Sequence, residues 1–241
     1  MANTIGYGQG AVNNTIGWGQ GAKEGSSFSN LKSIELDGVD DYVDTATIDI
    51  GSTNTISFWM KRSTLANGVV LGDVNGSSKY ALWLDTSSNI NFRLGNNDSG
   101  RLTLNSALFS DGNWHHHCLS RNGIAVNYYI DAVLQTNYTA NTLNASAGTN
   151  STIQKIGART DLQLPLNGSL DEVALFNTNL SASDVTAIYN SGVPASLSSY
   201  SSLVSWWRCG DGDTAPTLTD NKGSNDGTMT NFSTFSTDVP T

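Results

Sequence analysis

Residues 164–189 run LPLNGSLDEVALFNTNLSASDVTAIY. Leu170, Val173 and Leu175 form the inward apolar row of a predicted strand, and Asn177 to Asn179 turn the chain. A short helix follows. Ser181 stands as its N-cap with Asp184 three positions on, the spacing at which a side-chain oxygen at each position accepts the other's free backbone N–H. Val185, Ile188 and Tyr189 then share one helical face. No other segment holds a helical period, so this strand–cap–helix unit sits in a chain of short strands.

Outward from it the signal is period-two alternation between Gly, Asn and Asp turns. Ile34 and Leu36, then Tyr42 and Val43, flank the turn DGVDD at residues 37–41. Strands are expected at 55–61, 68–73, 80–85, 90–94, 102–104, 114–121, 125–130, 133–136, 152–156 and 169–176. Only 14% of the 241 residues are charged while 38% are hydrophobic. That balance suits polar turns joining a large all-β core and excludes a helical bundle. The predicted fold is a two-sheet antiparallel sandwich with one short helix.

Net charge is −9, and nearly all the acid is Asp, with Glu only at Glu24, Glu35 and Glu172. So few Lys and Arg exclude a nucleic-acid partner, since phosphate binding needs clustered positive charge. No apolar window approaches the ~18 residues of a membrane span, and the opening MANTIGYGQG lacks the basic start and apolar run of a secretory signal. The expectation is a chain kept in the cytosol or assembled into a particle. Cys118 and Cys209 are expected as two buried thiols; a disulfide is the alternative.

Residues 1–30 differ from the rest. NTIGYGQGA at residues 3–11 returns as NTIGWGQGA at residues 14–22. The glycines allow close backbone approach to another surface, and Ile5, Tyr7, Ile16 and Trp18 recur in register as side chains that could plug into it. An extended anchoring arm is expected, the alternative being a flexible leader. The domain reading is an arm at 1–30, a sandwich at 31–200, and a strand plus acidic loop at 201–241 that completes the sandwich.

The segments SIELDGVDDYVD (33–44), TISFWMKR (55–62), DGNWHHHCLSRNGIAVNYYIDAVLQT (111–136), IQKIGAR (153–159) and LNGSLDEVALFN (166–177) resemble, in order, the strands of laminin-G-like, concanavalin-type jelly rolls. The resemblance implies a jelly-roll sandwich that binds sugars or surfaces. One departure stands out. Text like LVSWWRCGDGDTAPTLTDNKGSNDGTMTNF (203–232) precedes the DGVDDY-like strand in that family and here follows everything else, which implies a permuted order with residues 203–207 pairing back into the same chain. A neighbouring subunit as recipient is the alternative. Arm plus sandwich also resembles virion structural proteins of tailed bacteriophages. That layout implies docking on other virion proteins through residues 1–30, placement in an oligomeric assembly on the virion, and display of a lectin-like domain toward host-surface glycans. A carbohydrate-binding module of a bacterial surface protein and a purely architectural decoration stay open.

Catalysis is not expected. Glycoside hydrolysis needs two carboxylates flanking one cleft, and alternation places Asp171 and Glu172 on opposite faces of their strand. His115 and His117 share one strand face and His116 the other, so three metal ligands from this run are not expected, and the resemblance, whose members carry WHH here, implies a packing role. Calcium is the candidate cofactor, because Asp211, Asp213, Asp220, Asn225 and Asp226 crowd a glycine-broken loop rich in oxygen donors, a solvated turn-rich loop without a cation being the alternative. Carried over from the resemblance, Asp171 or Glu172 would share one cation with Asp220 and Asp226. For sugar stacking the candidate aromatic platforms are Tyr80, Trp83 and Tyr138, with Trp206 and Trp207 as further candidates.

Overall fold

In the computed structural model, residues 28–73, 81–93, 101–141 and 150–241 are described. The arm residues Ile5, Tyr7, Ile16 and Trp18, and Tyr80, lie outside them. The first strands are β1 (Ile34–Asp37), β2 (Tyr42–Gly51), β3 (Thr53–Lys61), β4 (Gly68–Gly72), β5 (Leu82–Leu84), β6 (Asn89–Arg93) and β7 (Arg101–Asn105). There follow β8 (Trp114–Asn122), β9 (Ala125–Ile130), β10 (Val133–Leu134), β11 (Tyr138–Asn141), β12 (Ser151–Ile156) and β13 (Asn167–Phe176). Helix α1 (Ala182–Tyr189) precedes β14 (Leu203–Trp207), β15 (Thr217–Leu218) and β16 (Gly227–Thr230). Among the described residues no helix is long and apolar enough to cross a membrane.

Two antiparallel sheets form. One runs β1-β13-β3-β8-β9-β10, with β14 also paired to β13; the other runs β11-β7-β6-β5-β4-β12-β2-β16-β15. Their inner faces interdigitate. Ile56, Phe58 and Met60 of β3, Leu170, Val173 and Leu175 of β13 and Trp207 of β14 meet Leu82, Leu84, Ile90, Phe92, Leu102 and Leu104 in one buried cluster. This is the expected all-β, concanavalin-like jelly-roll sandwich.

β14 lies beside β13 of its own chain, Val173 opposite Trp207 and Ala174 opposite Trp206. Successive side chains take opposite faces, so Trp207 enters the core while Trp206 faces outward into a second apolar layer. That layer exists because α1 covers the outer face of the first sheet. Val185 and Ile188 pack with Cys118, Ala174, Phe176, Leu203 and Trp206. The capping box is present: Asp184 N–H donates to Ser181 Oγ at 3.2 Å, and Ser181 N–H donates to Asp184 Oδ2 at 2.9 Å. A left-handed Asn190 (φ 47) ends the helix. Cys118 and Cys209 are buried and unpaired.

Candidate functional site

The DEV stretch of β13 departs from alternation. Its register with β3 shifts between Asp171 and Ala174, and Glu172 takes a left-handed φ of 48. A β-bulge inserts one residue and re-aims the side chains after it. Leu170 and Val173 therefore both point into the core, and Asp171 and Glu172 both lie on the other side. The opposite-face assignment of this pair is corrected by the bulge.

Both carboxylates are covered, Asp171 at 0% and Glu172 at 3% exposure. Asn30 Nδ2 donates to Asp171 Oδ2 at 2.8 Å. Trp206 Nε1–H donates to Glu172 Oε2, and Arg208 Nε–H donates to Glu172 Oε1 at 3.2 Å. Arg208 also donates to the Ser29 carbonyl, and its guanidinium lies 4.4 Å from the centre of the Phe28 ring. Leu31 N–H donates to Asp211 Oδ2 at 2.9 Å. Residues 28–31 are thus clasped onto β14 and the loop after it. Arg208 pairs with Glu172 and, at 3.4 Å, with Asp211. Burial, then the negative charge of Glu172, raises Asp171 well above the usual carboxylate range. Burial pushes Glu172 up to about 7 against the opposing pull of Arg208 and Trp206. A pair sealed in this way has no cleft in which to work on a glycosidic bond.

The acidic loop folds on itself. Asp220 Oδ1 accepts N–H groups from Trp206, Lys222 and Gly223 at 2.9, 3.1 and 3.0 Å, and Oδ2 accepts from Asn225 at 3.1 Å. Burial opposes the charge on Asp220, but these donors outweigh it and hold the carboxyl below its ordinary value. Asp226 Oδ1 accepts from Asp220 N–H at 2.8 Å, and Asn225 Nδ2 donates to Ser205 Oγ at 2.8 Å. Asp171, Glu172, Asp220, Asn225 and Asp226 therefore do not converge on one point: backbone donors, Asn30 and Arg208 engage their oxygens. Among the described residues, the acidic trio whose oxygens lie within 4.8 Å of one another is Asp37, Asp40 and Asp41, in the DGVDD turn.

His116 and His117 are packed, whereas His115 bridges two carboxylates, its Nδ1 2.6 Å from Asp131 Oδ2 and its Nε2 3.2 Å from Asp111 Oδ2. His117 stacks on Phe58 and Phe109 in the core, while His116 accepts or donates at Nε2 to Ser57 Oγ at 2.8 Å beneath Tyr189. Burial depresses His116 to about 4 and His117 to about 3.

The aromatic candidates do not form one platform. Trp83 points outward from β5 but is 8% exposed, with the Arg101 guanidinium 5.2 Å from the centre of its ring. Tyr138 pairs with Leu104, a core residue, and packs on the inner face. Trp206 and Trp207 are buried. Around Trp83 the sheet presents a polar network instead. Arg101 Nη2 donates to Asn91 Oδ1 at 2.7 Å, Thr103 Oγ1 donates to the same oxygen at 2.8 Å, and Asn91 Nδ2 donates to Asp85 Oδ2 at 3.3 Å. Asn91 and Thr103 are buried within this network, at 0% and 4% exposure, and the exposed Arg101 guanidinium beside the indole is the group suited to a hydroxyl-bearing ligand. Asn91, Arg101 and Thr103 escape a search for exposed aromatics, though their alternation on β6 and β7 is visible in the sequence.

The family model described as Laminin_G_3, concanavalin A-like lectin/glucanases superfamily, matches residues 37–186. That span is more than half of the chain. The chain belongs to this superfamily. No curated protein matches its sequence. Among solved structures, a candidate carbohydrate binding protein from Bacteroides ovatus superposes with a TM-score of 0.63 at 13% identity, covering 88% of this chain and 62% of that one. The chain thus spans less than two thirds of that protein's length. A heptameric SAP-like pentraxin from Limulus polyphemus gives a TM-score of 0.51 at 12% identity, covering 66% of this chain and 82% of that one. At these identities the likeness is one of fold. This superfamily chain is a lectin-like laminin-G jelly roll, closed by its own C-terminal strand.

Proposed function

We propose that this jelly roll is a non-catalytic glycan-recognition module, carried on a bacteriophage particle by its N-terminal arm and turned toward host-surface glycans. The observation that carries the glycan reading is the exposed Arg101 guanidinium held beside Trp83, and braced from beneath by Asn91, on a lectin-type sheet. The sealed Asp171–Glu172 pair supports a binding role over hydrolysis. Support for the particle comes from the duplicated NTIGYGQGA and NTIGWGQGA text. A second reading, a carbohydrate-binding module at a bacterial surface, is favoured by the likeness to the Bacteroides ovatus protein.

A glycan array probed with the full chain and with Arg101→Ala tests recognition. Binding by the wild type that falls at least tenfold in the variant is expected; an array silent for the wild type would remove the reading. Deleting residues 2–22 should leave the sandwich folded and abolish incorporation into particles. A truncated chain that still assembles would remove the anchor.

A further inference from the structure

A cavity of about 200 Å³ opens beside β2 and β16, toward the opposite end of the same sheet from β6 and β7, between two sources of side chains. Tyr42 of β2 and Thr230 of β16 are direct cross-strand partners and bring Asp40 and Asn231 with them, since Asn231 Nδ2 donates to the Asp40 carbonyl at 2.9 Å. The loop between β12 and β13 supplies the apolar wall, Leu162 and Pro165. Leu162 is 50% exposed and holds a left-handed φ of 63. An exposed leucine in that conformation is uncommon, and it is stationed at this cavity. The Tyr42 ring is pinned: the Lys155 ammonium lies 4.4 Å from its centre and pairs with Asp44.

We propose that this cavity is a subsite for one neutral pyranose ring, with Leu162, Pro165 and Tyr42 on the sugar's apolar patches and Asp40, Thr230 and Asn231 on its hydroxyls. It rests on the glycan-binding reading above and adds a site and a sugar class to it. The volume decides the size of the ligand, being below the roughly 300–1,000 Å³ of sites for drug-sized molecules. The mixed lining decides the chemistry, because a pyranose carries C–H patches and hydroxyls on one small ring. The charge decides the class. Asp40 also belongs to the trio with Asp37 and Asp41, so the mouth is negative and repels a uronate or a sialic acid. A ligand of so few heavy atoms binds in the millimolar range.

Saturation-transfer NMR and titration of the intact chain with methyl glucoside, N-acetylglucosamine and glucuronate test it. The two neutral sugars should bind at millimolar concentration, with glucuronate at least tenfold weaker. Leu162→Arg, at an exposed position, should reduce neutral-sugar binding more than tenfold without moving Tm, and Asp40→Asn should narrow the gap to glucuronate. Unchanged binding by Leu162→Arg, preference for glucuronate, or no response to any of the three would overturn the subsite. Sugar binding lost in Arg101→Ala but kept in Leu162→Arg would overturn the subsite and leave glycan recognition standing. Silence on both the monosaccharides and the array would remove both.

Discussion

Asn30 donates its amide to Asp171 across 141 residues of sequence, at 2.8 Å. This contact ties the start of the sandwich to a carboxylate that is completely covered. Asn30→Ala would leave a buried acid without its side-chain donor, at a cost of roughly 1–3 kcal/mol. Urea unfolding should show a lower midpoint with an unchanged slope, and an unaltered midpoint would mean that the Asn30 amide contributes nothing.

Glu172 gives the fold a pH dependence of defined sign. Its folded pKa, about 7, lies above the ordinary 4.5, so the folded protein binds the extra proton between those values. The stability it contributes is fully present below about 4.5 and is lost as pH rises through 7. Glu172→Gln mimics the protonated acid and removes this titration. The Tm difference, wild type minus variant, should fall from pH 5 to pH 8. A difference that is flat or rises would reverse the assignment. Taking the difference cancels His116 and His117, whose depressed values work in the opposite direction.

Removing the chain after residue 200 deletes β14 to β16 and takes Trp207, Cys209, Leu218 and Met229 out of the core. Loss of cooperative unfolding is expected, because several buried side chains vanish together and each typically costs about 2–5 kcal/mol. A soluble remainder with a sharp thermal transition would show that the C-terminal strands are dispensable.

Asp220 accepts four backbone N–H groups in the acidic loop. Asp220→Ala should lower Tm, with a stability loss on the order of 2 kcal/mol or more from the stranded donors. Because those donors are backbone amides, the loss should be equal in calcium and in chelator. A wild-type Tm that rises with calcium while Asp226→Ala does not respond would instead assign a cation to this loop.

Several elements were legible locally. Period-two alternation marked most strands that carry the core, and a hydroxyl and a carboxylate three residues apart marked the start of α1 at Ser181 and Asp184. Alternation failed at Glu172, because a left-handed non-glycine residue carries no local signature. Trp83 was legible as an aromatic on a strand, but not the Arg101 guanidinium that covers it.

Sequence alone determined the sandwich class, the inward rows and the capped helix, since strand period and helix capping are set by residues within one or two turns of each other. Tertiary structure decided which side chains meet: Asn30 on Asp171, Arg208 between Phe28 and Glu172, Leu162 over the cavity beside Tyr42. Such meetings depend on cross-strand register and on one bulge. A shift of one residue reverses every side chain after it, so no local reading of the sequence could place them.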